Sequence, residues 1–324
     1  MHAQELKINE VTTLVGLSTS QIKPNAIAFN DQRTNELVDP ASGLIKFEDW
    51  ARVNPLQKEL LSLYPGYVEP KANITVDGAS KPITQKLSMY VVEARFTVPK
   101  AADTVSLKNY ATIPFLSKID AAIKHREIGK ADVIPATSPD HATNMRPGRA
   151  WCDGEGDMVC IQSKYQLEGK LPTGIYLVNQ LTEGKKHPDF LEFQSELRVV
   201  PQAEIDQDKL RKLTGIDTPV AGVLEQNIFY VNQVMEFGKF VAVLQPHPTE
   251  KNQTIATTYM ALAIKTKVID RKKEFERVPV LRNLVPGQLL MGNSSFNTGS
   301  SLSAGLPNYT RNQIQAIANI LARG

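Results

Sequence analysis

Residues 255 to 269 read IATTYMALAIKTKVI. Thr258, Met260, Leu262, Ile264 and Val268 occupy one side of a period-two pattern, with Thr257, Tyr259, Ala261, Ala263, Lys265 and Lys267 on the other. Side chains of an extended strand point alternately to opposite faces, so this stretch is expected to be a long strand with one face on a core and one small, mixed face. Its backbone groups need neighbouring strands as partners. Candidates lie upstream: Leu87 to Val98 (LSMYVVEARFTV), Met158 to Leu167, Ile175 to Leu181, Asn227 to Met235 and Phe240 to Gln245. Between them, Leu191, Phe193, Leu197 and Val199 alternate with Glu192, Gln194, Glu196 and Arg198, the signature of a half-buried strand. The spacing predicts an antiparallel meander. A membrane barrel would use strands of similar length, but the companions are fewer and less regular than a closed barrel requires.

Five helical stretches accompany the strands. Phe47 to Val53 reads as a short helix, and Asn54-Pro55 starts another through Leu56, Leu60, Leu63 and Tyr64, ended by Pro65-Gly66. Pro114 opens a helix whose stripe is Phe115, Ile119, Ala122 and Ile123, running to Gly129, with His125 off the stripe and therefore facing solvent. Glu204 to Leu213, closed by Gly215, is a short helix. After the small-residue loop 292–308, Thr310 and Gln313 form a capping box, and Ile314, Ile317, Ala318 and Leu321 form the buried stripe of a terminal helix.

The expected class is therefore α+β: an antiparallel, meander-rich sheet mainly within 150–270, covered by a few helices including the C-terminal one. The proline-containing stretch 129–149 is the candidate boundary between an α+β region (1–135) and a β-rich region (136–324); one continuous domain fits nearly as well.

The only two cysteines, Cys152 and Cys160, flank an acidic glycine loop, Asp153-Gly154-Glu155-Gly156-Asp157. Glycines supply the positive φ that a tight tip needs, and cysteines opposed across a hairpin fall within disulfide range. Asp153, Glu155 and Asp157 alternate, and inward-turned carboxylates on such a loop suit a hard cation such as calcium. The EF-hand pattern does not fit, because Met158 and Lys164 stand where Gly and Glu belong. A solvated acidic turn is the competing reading.

A net charge of +3 is too mild for nucleic acid, and the cluster Arg271 to Lys273 is answered by Glu274 and Glu276. No apolar run approaches the roughly 18 residues of a membrane-spanning helix. A cysteine pair in disulfide geometry points to an oxidising compartment, the periplasm or the cell exterior. His2-Ala3-Gln4 after Met1 resembles the remnant of a signal-peptide cleavage site.

No phosphate-binding loop, dinucleotide fingerprint or nucleophile elbow is present, and the five histidines lack zinc spacing. Asp140 and His141 make the most enzyme-like pair, with no nucleophile beside them in sequence. Two functional readings follow. One is an exported, non-enzymatic binding or structural protein that holds a small molecule or protein partner with its sheet face and loops. The other is a hydrolase of unfamiliar type using residues 138–160, with Asp140, His141 and the loop carboxylates as acid, base or metal ligands. No cofactor apart from calcium is implied. Native protein alkylated without reductant should be about 2 Da lighter than the reduced form, one hydrogen lost per thiol, with neither cysteine modified. Two alkylated thiols would remove the argument for export.

Overall fold

The computed structural model describes residues 6–10, 26–31, 45–46, 73–76, 79–82, 87–134, 151–154, 156–166, 190–232, 235–265 and 302–322. The expected helices between 47 and 64 and the strand at 175–181 lie outside these residues.

The strands are β1 (Lys7–Glu10), β2 (Ala26–Asp31), β3 (Ile45–Lys46), β4 (Asn73–Val76), β5 (Ala79–Pro82) and β6 (Leu87–Val98), followed by β7 (Lys124–Glu127), β8 (Met158–Gln166), β9 (Phe190–Val199), β10 (Gly222–Val231), β11 (Met235–Pro246) and β12 (Thr254–Lys265). Ten of them form one sheet in the order β1-β2-β6-β12-β11-β10-β9-β8-β7, with β3 also pairing β6, while β4 and β5 pair separately. Every pair in the large sheet is antiparallel except β1–β2, and β9 to β12 form the predicted meander. Strands from both sides of residue 135 lie in this sheet, so the expected boundary does not separate two sheets.

The β6–β12 pairing runs without a break from Val98↔Thr254 to Leu87↔Lys265. It brings two apolar faces together in register. Val92, Ala94, Phe96, Ala256, Met260 and Leu262 are buried on one face and join Ile314 and Ala318 in a single core. The second face of β12, read as small and mixed, is just as buried: Thr257, Tyr259 and Ala261 are at most 1% exposed.

What covers that second face is the helix α2, Gln207–Thr214 in chain order, preceded by α1 (Ile113–Ile119) and followed by α3 (Leu302–Ala322). The Asp206 carboxylate caps α2 by accepting the Lys209 N–H at 3.0 Å, and Gly215 ends it in the left-handed region at φ 68°. The last carbonyls of a helix have no intrahelical donor. Arg95, fully buried on β6, donates through its guanidinium to the Thr214 carbonyl and through Nε to Thr257 Oγ1 at 3.1 Å. The Tyr259 hydroxyl donates to the Leu213 carbonyl at 3.4 Å.

On the other face, Thr112 caps α1 by accepting the Phe115 N–H at 3.3 Å. This helix ends at Ile119, well short of Gly129. Residues 124–127 instead pair antiparallel with Ile161–Lys164 as the edge strand β7, and the Ile128 N–H donates to the Cys160 carbonyl at 2.9 Å. Pairing at the sheet edge thus outweighs the helical spacing of Ile119, Ala122 and Ile123. The terminal helix also departs from expectation. It begins at Leu302, inside the predicted loop, and Thr310 is a fully buried residue within it rather than its cap. Gln313 is not the second half of a capping box; its amide donates to Asp120 Oδ2 at 3.4 Å. No helix among the described residues is long and apolar enough to cross a membrane.

Glu93 sits beside Arg95 and accepts from Asn30 Nδ2 at 3.0 Å. Burial raises its carboxyl above the usual 4.5, opposed by the Asn30 hydrogen bond and by Arg95. The folded protein therefore holds this proton longer than the unfolded chain. The stability so gained is complete below pH 4.5 and is lost as pH rises through the folded value. Glu93→Gln should remove that slope. Denaturant midpoints measured between about pH 4 and 8 should show the variant gaining on the parent as pH rises; a gap independent of pH would contradict this account.

Candidate functional site

Between the apolar sheet face and the helices α1 and α3 lies a cavity of about 60 Å³. Phe115, Leu116 and Ile119 of α1 form one wall, Ile314 and Ile317 of α3 another, and inward side chains of β9 to β12 the floor. One water takes roughly 10–15 Å³ on the same measure, so the space holds several waters or a small apolar molecule. A second cavity of about 40 Å³ lies next to it, and Tyr110, Phe115, Leu224, Phe240 and Ile317 line both. The floor follows from strand alternation: Leu224 and Ile228 of β10 share a face with Leu197 of β9 and Phe240 of β11, as the pairings Gln226↔Leu197 and Gln226↔Phe240 require.

Among the described residues, Asp120, His125, Gln226 and Gln313 break this apolar lining. Asp120 follows the last residue of α1. Its Oδ1 accepts the Ala122 N–H at 2.9 Å and its Oδ2 accepts Gln313 Nε2. Gln226 donates through Nε2 to Ser195 Oγ at 3.0 Å. His125, directly across from Ser163 in the β7–β8 pairing, places Nδ1 2.8 Å from Ser163 Oγ. The expected wet histidine is thus half-buried at the cavity wall, because its segment is a strand and not a helix. Burial lowers its pKa from the usual 6.5, and the nearby Asp120 carboxylate opposes the shift.

The residues singled out in the sequence fall elsewhere. Cys152 and Cys160 form a disulfide with Cα atoms 5.7 Å apart. The loop is not a two-stranded hairpin, however: Trp151 and Cys152 form a turn, with Cys152 itself in the left-handed region at φ 59°, and only the Cys160 arm is a strand. Tertiary contacts hold that turn, since the Cys152 N–H donates to Glu196 Oε2 at 3.2 Å and Trp151 stacks on Phe229 with ring centroids 4.8 Å apart. Cys160 pairs with Glu196, the position next to Leu197, so the disulfide lies on the sheet face away from the cavity. Asp157 is ion-paired with Lys108 at 2.8 Å, and among the described residues no three His, Cys, Asp or Glu side chains gather as a metal site. Glu155, Asp140 and His141 lie outside the described residues, and Asp153 is half-buried.

Gln226 carried a readable signal: an amide at an inward position between Leu224 and Ile228. Asp120 and Gln313 carried none, because their meeting depends on where α1 stops and on how α3 lies over it.

No family model matches the chain, and no curated protein does. Among solved structures, it is similar to the Zhui aromatase/cyclase from Streptomyces sp. R1128, with 10% identity over 72% of this chain and 93% of that one and a TM-score of 0.34. Truncated norcoclaurine synthase from Thalictrum flavum gives 11% identity over 73% and 95%, with a TM-score of 0.33. Ara h 8.0201 gives 8% over 73% and 99%, with a TM-score of 0.31. Likenesses this weak carry neither a family nor a function to this chain.

In an NMR titration, the His125 ring should show a midpoint below 6.5. Ser163→Ala should leave the ring buried and the midpoint still depressed. A midpoint at or above 6.5 in the parent would mean that the ring faces solvent or that Asp120 dominates.

Proposed function

We propose that the chain is an exported, non-enzymatic binding protein that holds a small, mainly apolar ligand between the sheet and its terminal helix. The carrying observation is the cavity itself, walled by Phe115, Ile119, Phe193, Leu197, Ile228 and Ile317, with a few polar groups to orient an occupant. Concave, mostly apolar spaces with sparse, placed polar groups are the usual form of small-molecule sites. The adjacent second cavity extends the apolar volume. Export is supported by the disulfide, which belongs to an oxidising compartment in most chains of this kind.

Titration calorimetry with 1-hexanol tests the binding reading. The parent protein should bind it with a measurable heat, and Ile317→Trp, which fills both cavities from the half-buried flank of α3, should weaken binding by about tenfold or more while the protein stays folded. Absence of binding by the parent, or equal binding by the folded variant, would overturn the reading.

A further inference from the structure

The lining of the larger cavity is electrically one-sided. Among the described residues, Asp120 is its only Asp or Glu and no Lys or Arg lines it. Composition does not explain this, since the chain carries 37 Lys and Arg against 34 Asp and Glu. Asp120 is half-buried, so its carboxylate is partly solvated, and among the described residues no Lys or Arg of the lining competes with an occupant for it.

We infer that the ligand is an apolar amine, bound with its protonated nitrogen against Asp120 and its hydrocarbon part among the apolar walls. This rests on the cavity being a binding site, as proposed above, and adds the chemical class of its occupant. Asp120 has the capacity. A carboxylate accepts about four hydrogen bonds, and the Ala122 N–H and the Gln313 amide use two of those positions. The Gln313 bond is long at 3.4 Å, which leaves the oxygen open to a stronger, charged donor. His125 adds a second acceptor. In the tautomer in which Nδ1–H donates to Ser163 Oγ, Nε2 is the acceptor, and the neutral ring, which burial favours, does not repel a cation. The rings of Tyr110, Phe115, Phe193 and Phe240 supply π faces that a cation prefers over a saturated wall. A carboxylate ligand would meet Asp120 with like charge and find no compensating cation. An alcohol would fill the same volume without neutralising it.

The test uses three probes of one length, hexylamine, 1-hexanol and hexanoate, titrated into the full chain near pH 7. Hexylamine should bind about tenfold more tightly than 1-hexanol, with hexanoate the weakest, because a hydrogen bond to a charged group outweighs a neutral one. Asp120→Asn should bring the amine and the alcohol to near parity. Added salt should weaken the amine and not the alcohol in the parent protein, which gives the same answer if the variant does not fold. If 1-hexanol binds the parent as tightly as hexylamine, or if the folded Asn variant keeps the amine preference, the assignment to an amine is wrong while the cavity remains a binding site. If none of the three binds, the binding reading itself fails, and this inference fails with it.

Discussion

The end of α2 is held to the middle of the sheet by Arg95. Its guanidinium donates to the Thr214 carbonyl and to Thr257, and Tyr259 takes the carbonyl one residue earlier. A helix C-terminus is the negative pole of the backbone dipole, so a buried cation there satisfies orphan acceptors and the dipole together. Such a charge is costly to desolvate, and burial lowers the Arg95 pKa against the pull of Tyr259 and Glu93. The geometry makes the cost tolerable: the acceptors are fixed by the helix and by the long β12 strand, and Glu93 lies close enough to favour the charge electrostatically. Once this face is closed, the opposite face of the same strands is the one left to carry helices α1 and α3 over a hollow.

The two faces divide their chemistry accordingly. On the α2 side, Arg198 bridges Glu225 at 2.5 Å and Glu204 at 2.9 Å, Lys239 approaches Glu225 at 3.4 Å, and the disulfide turn packs through Trp151 on Phe229. Charged groups there are answered by charged groups of the sheet and, through Glu204, of the turn that leads into α2. On the other side the inward residues are mostly apolar, with polar groups at His125 and Ser163, at Gln226 and Ser195, and at Thr258, whose hydroxyl donates to the Ala94 carbonyl. The terminal helix is tied at its far end as well, since the Leu6 N–H donates to Asn319 Oδ1 at 3.0 Å. The terminal helix is thus held by Gln313 to the end of α1 and by Asn319 to the residue before β1, with apolar contacts to the cavity floor.

Strand periodicity made much of this legible. The limits of β6 are those the residues 87–98 suggest, the order of the meander β9 to β12 is the expected one, and α2 stops at the glycine expected to stop it, but the strand expected over 227–235 runs across the turn between β10, which ends at Val231, and β11, which starts at Met235. What alternation does not encode is competition between an element and its surroundings. Ile119, Ala122 and Ile123 have helical spacing, yet the free edge of β8 takes residues 124–127 as a strand. Thr310 and Gln313 have the order of a capping box, yet burial of Thr310 carries the helix through it. Both departures bear on the cavity: the first sets His125 in its wall, and the second frees Gln313 to meet Asp120. The acidic loop drew notice because its composition is unusual, whereas the cavity is made of ordinary residues brought together only by the fold.

The shared wall between the two cavities has a consequence for size. Phe240, Leu224 and Ile317 face the larger space on one side and the smaller on the other. These side chains are all that is common to the two linings apart from Tyr110 and Phe115, so a rotamer change among them would join the two spaces without moving the backbone. An occupant whose tail outgrows the first chamber meets hydrocarbon, not water, as it advances into the next. Under the binding reading proposed above, the pair of chambers would discriminate by girth more than by length, with one end at the polar groups of the larger cavity and the other beneath Ile317 and Leu321 of the terminal helix.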